Sequence, residues 1–127
     1  MKRGLLLFAH GARDPRWALP FEAVAAHIRA AEPTTPVALS FLEFMTPGLV
    51  EAGSVLAAQG CDRIEVLPLF LGAGGHVRKD LPQLLDQLRA AWPAVGFELQ
   101  RAIGEVPDVI AAMAQAAAAG LRPEAAR

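Results

Sequence analysis

The sequence predicts an α/β fold, a three-layer sandwich around a four-stranded parallel sheet with the flavodoxin-like strand order 2-1-3-4. Four short apolar runs alternate with four helix-length segments, an order typical of parallel sheets with helices on both faces. The first run is apolar without alternation, as in a strand covered on both sides. Hydrophobic residues make up 54% of the 127 residues and charged residues 20%, which indicates one folded domain.

The predicted strands are short runs bounded by glycine, proline or charged residues. We expect them at 4–9, 37–44, 63–67 and 96–101. Pro68 limits the ladder of the third strand, because proline has no backbone N–H to donate. The fourth strand is the most polar, which places it at the edge of the sheet.

The helices are predicted from apolar stripes and from their end signals. The second helix is expected to begin with Thr46 as N-cap and Pro47 as first residue, and to end at Gly60. Asp80 is the expected cap of the third helix, and the last helix begins near Pro107. Apolar stripes mark the first, third and last helices: Phe21, Val24, Ala25, Ile28 and Ala31; Leu81, Leu84, Leu85, Leu88 and Trp92; Val109, Ile110, Met113 and Ala117.

Charge and cysteine content argue against several classes of protein. A formal net charge of −1 removes the usual electrostatic argument for nucleic-acid binding. No apolar run approaches the roughly 18 residues of a membrane helix, and the run at 5–9 is shorter than the roughly 7–15 residues of a signal-peptide core. The single cysteine, Cys61, indicates a reducing compartment. We therefore expect one cytoplasmic domain over 1–127, with a frayed tail at 121–127.

Three residues that commonly bind metal ions follow the first three strands. His10 follows the first strand, Glu43 closes the second, and His76 lies in the glycine-rich loop after the third. Neighbouring strands are about 4.8 Å apart, and their carboxyl ends share one sheet edge, so these side chains are expected to converge in one cleft. Two imidazoles and a carboxylate suit a divalent ion such as Fe²⁺, Co²⁺, Ni²⁺ or Zn²⁺. Each residue alone is more often structural; their joint placement favours a metal site.

Four basic residues are predicted at the same edge of the sheet. Arg13 and Arg16 follow the first strand, and Arg78 and Lys79 are the last residues of the glycine-rich loop expected at 69–79. Charges of this kind commonly form a solvated loop surface. The functional interpretation is binding of a polyanionic ligand, because arginine holds carboxylates through paired hydrogen bonds.

Three segments closely resemble the CbiX-type sirohydrochlorin chelatases: LFAHGARDPRW at 7–17, FLE at 41–43 and PLFLGAGGHV at 68–77. The resemblance extends in order and spacing through about Pro82. It implies insertion of Co²⁺ or Fe²⁺ into sirohydrochlorin without a nucleotide cofactor or any cofactor beyond the substrate metal. It also implies that His10 and His76 handle the metal and that Glu43 is their acidic partner. Ala12 is a departure, since many relatives carry serine there.

Long members of this family carry two such halves in one chain. The resemblance therefore implies that a single half forms a homodimer, for which we expect an apolar, helix-rich interface. The metal is left open between Co²⁺, Fe²⁺ and Ni²⁺, and with it the pathway, towards cobalamin or towards sirohaem. Two alternatives are a non-enzymatic tetrapyrrole or metal carrier and a small phosphohydrolase with His10 as nucleophile. The second lacks the arginine expected just before that histidine.

Overall fold

Four parallel strands form a single sheet in the order β2-β1-β3-β4. The computed structural model describes residues 1–72 and 74–123, without the side chain of His76, so part of the predicted frayed tail lies outside the described residues. The strands are β1 (Arg3–Ala9), β2 (Val37–Phe41), β3 (Arg63–Pro68) and β4 (Gly96–Leu99). The predicted fold class and strand order are confirmed.

The central strand β1 pairs with β2 on one side and β3 on the other. Its last residue, Ala9, lies opposite Phe41 of β2, and Phe8 lies opposite Pro68 of β3. Strand β3 ends at Pro68, although the next residue, Leu69, still donates its N–H to the Phe8 carbonyl at 2.8 Å. The polar strand β4 pairs only with β3 among the described strands, so the prediction of an edge strand is also confirmed.

Four α-helices alternate with the strands. They are α1 (Leu19–Ala31), α2 (Leu49–Ala58), α3 (Gly75–Ala91) and α4 (Pro107–Ala119). Single 3₁₀ turns at Pro15–Ala18 and Ile103–Glu105 precede α1 and α4. In the part of the chain that the structure describes, no helix is long and apolar enough to cross a membrane.

The two faces of the sheet carry cores of unequal size. Helices α2 and α3 cover one face, and the Trp92 indole at the end of α3 donates a 3.0 Å hydrogen bond to the Ser54 hydroxyl of α2. The core beneath them comprises Leu6, Phe8, Leu49, Ala52, Leu56, Ala57, Cys61, Ile64, Val66, Phe70, Val77, Leu81, Leu85, Leu88, Phe97 and Ala102. On the opposite face, α1 packs on β2 over a smaller cluster of Ala9, Ala18 and Phe41.

Strand β2 is shorter than the sequence predicts, and α2 begins later. The strand ends at Phe41, so the prediction that Glu43 closes it is wrong; Glu43 lies in the following loop. The backbone N–H of Phe41 donates to the Pro47 carbonyl at 2.9 Å, which holds Pro47 beside the strand. Thr46 and Pro47 therefore do not start α2, whose N-cap is Gly48.

Helix α3 begins five residues earlier than the predicted cap. Gly74 is the N-cap and Gly75 the first helical residue, so Asp80 lies inside the helix and not at its start. Pro82 lies inside the helix as well. The first turn of α3 therefore includes His76, which the sequence analysis placed in a loop. Its apolar stripe is confirmed, since Leu81, Leu85 and Leu88 are buried against the sheet.

Helix α4 begins at Pro107 as predicted, but unlike the other three helices it buries none of its residues. Ile110 and Met113 are 50% and 41% exposed. Its principal contacts within the chain are with the preceding 3₁₀ turn. The predicted apolar stripe is present in the helix, yet in the described chain it does not join the core.

Gly53 of α2 provides a test of the packing between α2, α3 and β1. A Cβ at this position would lie 2.8 Å from Leu88 Cδ2 and 3.3 Å from Leu6 Cδ2. We expect Gly53→Ala to lower the free energy of unfolding by about 1–3 kcal/mol, although alanine is the better helix former. Urea unfolding measures the change.

The matched control is Gly75→Ala, also in a helix, where an added Cβ meets no described atom within 4 Å. Its unfolding free energy should stay unchanged or rise by up to about 1 kcal/mol. Equal effects of the two substitutions would contradict the tight packing at Gly53.

Candidate functional site

His10 and Glu43 lie side by side at the carboxyl edge of the sheet. His10 directly follows β1, and Glu43 lies two residues beyond β2. The His10 Nδ1 and Glu43 Oε1 atoms are 3.6 Å apart, with side chains 43% and 38% exposed. The pair is thus open to solvent on one side. The separation is longer than a hydrogen bond, and an imidazole nitrogen and a carboxylate oxygen this far apart can both be ligands of one metal ion.

The backbone beyond the two strands sets this separation. The N–H of Leu42 donates to the Ala9 carbonyl at 2.9 Å, and the N–H of Glu43 donates to the His10 carbonyl at 3.1 Å. These hydrogen bonds continue the β1–β2 pairing past the strand ends. The His10 and Glu43 side chains are therefore positioned by the sheet itself.

Gly11 allows the two loops to approach. Its φ is +92°, a region that favours glycine. A Cβ at this position would overlap the carbonyl oxygen of Glu43. Any larger residue would have to displace the Glu43 peptide, so this glycine is required by a close contact as well as by its conformation.

An aromatic residue in the loop after β3 lies against the His10 ring. Phe70, which follows β3, lies with its ring centroid 6.2 Å from that of His10, in an edge-on arrangement at 70°. Phe70 is itself buried and packs edge-on against Phe8 of β1 at 5.7 Å. One side of the imidazole therefore rests on the apolar core, while the other faces solvent.

The position of His76 is established only for its backbone. The first turn of α3 brings this residue to the loop edge that follows β3, but its side chain lies outside the described residues. Among the described side chains, no group of three or more His, Cys, Asp or Glu could hold a metal ion. The convergence of His10, Glu43 and His76 on one metal therefore stays a prediction.

The four basic residues have different surroundings. The Arg16 guanidinium donates to Asp14 through Nε at 3.2 Å and through its terminal nitrogen at 2.9 Å. These hydrogen bonds, with one from the Arg16 backbone, lower the pKa of Asp14, and the pair raises the pKa of Arg16. Arg78 and Lys79 are exposed in α3, and the Arg13 guanidinium lies over a phenylalanine ring.

That phenylalanine, Phe44, was missed by the sequence analysis. The Arg13 Cζ atom lies 4.7 Å from its ring centroid, and both residues line a cavity of about 340 Å³. The lining includes Ala12, two residues after His10, and Phe44, directly after Glu43, so the cavity lies on the same two loops, although His10 and Glu43 do not line it. No sequence signal marks Phe44, since its φ of +66° and its exposure follow from the path of the loop.

The fold and this site define an α/β domain of the chelatase-like type, with a histidine–carboxylate pair at the carboxyl edge of a parallel sheet. The profile of the CbiX family matches residues 4–119, which is most of the chain. The protein belongs to the CbiX family.

Individual relatives agree with this assignment. A sirohydrochlorin cobaltochelatase of Saccharolobus solfataricus is 40% identical over 82 residues, which is 65% of this chain and 62% of that protein. The CbiX protein of Marinobacter aquaeolei VT8 has a solved structure that is 31% identical, with a TM-score of 0.82, covering 94% of this chain and 97% of its own. The match thus spans less than two thirds of the length of the curated relative.

A longer protein shares the fold. The structure of SirB from Bacillus subtilis with Fe³⁺ has a TM-score of 0.82 and is 24% identical. The alignment covers 97% of this chain but only 49% of the SirB chain. One copy of this domain therefore corresponds to about half of SirB.

Replacement of Gly11 tests the contact between the two loops. We expect Gly11→Ala to lower the free energy of unfolding by more than the roughly 1–2 kcal/mol that a left-handed conformation costs alanine, because its Cβ would also overlap the Glu43 carbonyl. Urea unfolding gives the stability, and the NMR shifts of the His10 ring report the displacement of the site.

Gly60→Ala is the matched control. Gly60 has a φ of +95°, but an added Cβ there would meet only Lys2 Cδ, at 3.9 Å. It should show the conformational cost alone and leave the His10 shifts in place. If both variants lost the same stability, the close approach of Gly11 to Glu43 would not be a constraint.

Proposed function

We propose that this protein is a sirohydrochlorin chelatase that inserts Co²⁺ or Fe²⁺ into the tetrapyrrole. The observation that carries the proposal is the His10–Glu43 pair, 3.6 Å apart and open to solvent, with a cavity of about 340 Å³ on the adjoining loops. The 40% identical relative is a sirohydrochlorin cobaltochelatase, which supports the reaction. His76, one residue inside α3 at the same edge, completes the proposed set of metal-handling residues.

The proposed reaction exchanges protons for a metal ion. Two ring N–H protons leave sirohydrochlorin as a divalent ion gives up its water and protein ligands for ring nitrogens. A neutral imidazole can hold the ion or accept a proton, but not both at once through the same nitrogen. We assign metal delivery to the histidines and give Glu43 a supporting role, either orienting the ion or accepting a released proton.

The basic residues near the site have a counterpart in this substrate, which carries many carboxylates. Arg13, Arg78 and Lys79 are the proposed binding groups for them, since arginine pairs with carboxylates through two parallel hydrogen bonds. The sequence also predicts Arg16 as a binding group. Its bidentate pairing with Asp14 occupies donors that a substrate carboxylate would need, so we expect the smallest contribution from Arg16.

The choice of metal stays open within this proposal. Histidine and carboxylate ligands accept Co²⁺, Fe²⁺ and Ni²⁺, and affinity trends do not identify the ion used in the cell. The pathway, towards cobalamin or sirohaem, depends on that choice. A cytoplasmic location remains a prediction; the single cysteine, Cys61, is a buried free thiol.

The proposed ligand set is tested by substitution. His10→Ala and His76→Ala should each slow metal insertion by about a hundredfold or more, which is the scale on which a positioned acid–base or ligand group contributes. Glu43→Gln should slow metal insertion by less, about tenfold, because the carboxylate is assigned a supporting role. The absorbance change of sirohydrochlorin on metallation with Co²⁺, Fe²⁺ and Ni²⁺ in turn measures the rate.

His27→Ala is the control, since this exposed histidine lies on α1, outside the proposed site. It should insert metal at the wild-type rate. Normal insertion by a His10→Ala/His76→Ala double variant would refute the catalytic assignment. A wild-type protein that binds sirohydrochlorin but does not exceed the spontaneous rate would be a carrier.

Helix α4 supports the proposal of a homodimer. Its thirteen residues include one charged residue, Asp108, and none is buried. A helix of this length is marginal in water without tertiary packing, and one that is apolar on all sides is normally covered. We propose that a second copy of the chain covers the exposed side chains Ile110 and Met113 and the half-buried Val109.

The side of strand β3 that faces away from α2 and α3 carries polar groups and is not part of the apolar interface proposed on α4. There, Arg63 Nε donates to Glu65 at 3.2 Å, and Gln100 donates to the same carboxylate at 2.5 Å. The SirB chain, of which the aligned domain is about half, shows that two domains' length can occur in one relative of this fold, and in our proposal two copies of this chain are the counterpart.

The interface is tested by charge insertion. Ile110→Lys should shift the protein from dimer to monomer, because an ammonium group in an apolar interface must be desolvated. Light scattering at micromolar concentration measures the mass, and the metallation assay shows whether the monomer retains activity.

Val55→Lys is the matched control, because Val55 of α2 is 49% exposed against 50% for Ile110. It should leave the mass unchanged. A wild-type protein that is monomeric with sirohydrochlorin bound, and fully active, would exclude the homodimer.

A further inference from the structure

Phe44 is a large apolar residue in an unusual place. It directly follows Glu43, its side chain is 57% exposed, and its φ is +66°. Bulky residues rarely adopt this left-handed conformation. The loop therefore holds a phenyl ring in solvent at the edge of the site, where neither packing nor backbone preference favours it.

Arg13, from the other loop, places its guanidinium over this ring. The Cζ atom lies 4.7 Å from the ring centroid, within cation–π range. In the part of the chain that the structure describes, Arg13 forms no ion pair with a carboxylate, in contrast to Arg16, which pairs with Asp14. Its charge is therefore not neutralised by a neighbouring side chain.

The contact with Phe44 does not occupy the hydrogen-bond donors of Arg13. A phenyl ring has no oxygen or nitrogen acceptor, and in the described part of the chain no hydrogen bond from the Arg13 side chain is present. The N–H groups of the guanidinium therefore stay available for the paired hydrogen bonds that a carboxylate accepts. Phe44 thus restricts the orientation of Arg13 without competing for its hydrogen bonds.

The cavity beside the pair indicates where the carboxylate would lie. Its lining is Ala12, Arg13, Pro15, Ala18, Glu22, Phe41, Phe44, Met45 and Thr46. Most of these side chains are apolar, and the two charged ones, Arg13 and Glu22, are both exposed. Because Glu22 repels a second negative charge, a substrate carboxylate is favoured beside the Arg13 guanidinium, with hydrocarbon against the apolar lining.

We propose that Phe44 is a positioning residue that orients the Arg13 guanidinium towards a carboxylate substituent of the tetrapyrrole. This inference rests on the function proposed above and adds the residue that organises one of its binding groups. Phe44 acts through Arg13, so its contribution to binding disappears when Arg13 loses its charge.

Equilibrium binding tests this role separately from catalysis. Quenching of sirohydrochlorin fluorescence, without metal, gives the Kd for wild type and for Phe44→Leu, Phe44→Tyr, Arg13→Met and the Arg13→Met/Phe44→Leu double variant. Phe44→Leu keeps an apolar side chain but removes the aromatic face, and should raise the Kd by about two- to fivefold. Phe44→Tyr should restore the wild-type Kd to within about twofold.

The double variant gives the sharpest result. Its Kd should equal that of Arg13→Met, because Phe44 then has no guanidinium to orient. If the double variant bound about two- to fivefold more weakly than Arg13→Met, the proposal would be overturned. Sirohydrochlorin with its carboxylates esterified should bind wild type and Phe44→Leu equally. An unchanged Kd for Phe44→Leu with the free acid would also overturn it.

Two controls separate this inference from the proposed function. Leu19→Ala removes another side chain that is 57% exposed, and it should leave the Kd unchanged. Circular dichroism and Tm confirm that each variant is folded. If wild type inserts metal while Phe44→Leu binds normally, only this inference fails; if wild type binds through Arg13 and Phe44 but inserts no metal, the proposed catalysis fails and this inference stands.

Discussion

The site depends on the close parallel approach of the two chain segments that leave β1 and β2. Backbone hydrogen bonds continue past both strands, from Leu42 to Ala9 and from Glu43 to His10. They can form only because Gly11 has no Cβ to collide with the Glu43 carbonyl. The same contact brings His10 and Glu43 within 3.6 Å of each other. Side-chain geometry at the site is therefore a consequence of backbone pairing.

The unequal helix layers explain why this edge is open. Helices α2 and α3 bury a continuous core with β1 and β3, which anchors Phe70 beneath His10. The other face has a small cluster under α1, and α4 buries none of its residues. The more heavily packed side of the sheet thus supports the imidazole, and the less covered side leaves the edge at His10 and Glu43 open to solvent.

Two arginines that are alike in the sequence have different partners in the structure. Arg13 and Arg16 lie three residues apart in one basic segment. In the structure, Asp14 accepts two hydrogen bonds from the Arg16 side chain and one from its backbone N–H. The Arg13 guanidinium instead lies over the Phe44 ring, with its Cζ atom 4.7 Å from the ring centroid. The two arginines therefore differ in whether a described carboxylate accepts hydrogen bonds from the guanidinium: Asp14 does so for Arg16, and none does so for Arg13.

The sequence by itself determined the fold class and the residues of the His10–Glu43 pair, because these follow from local patterns: apolar runs, helical stripes and motifs at strand ends. The strand order was predicted from the arrangement that alternating strands and helices commonly adopt. Tertiary structure alone decided the ends of β2, α2 and α3, since the Phe41 N–H bonds to Pro47 and helix formation starts at Gly75, well before Asp80. It also decided that the apolar stripe of α4 stays outside the core and that Phe44 meets Arg13. These features depend on contacts between segments distant in the chain, whose free energies no local pattern records.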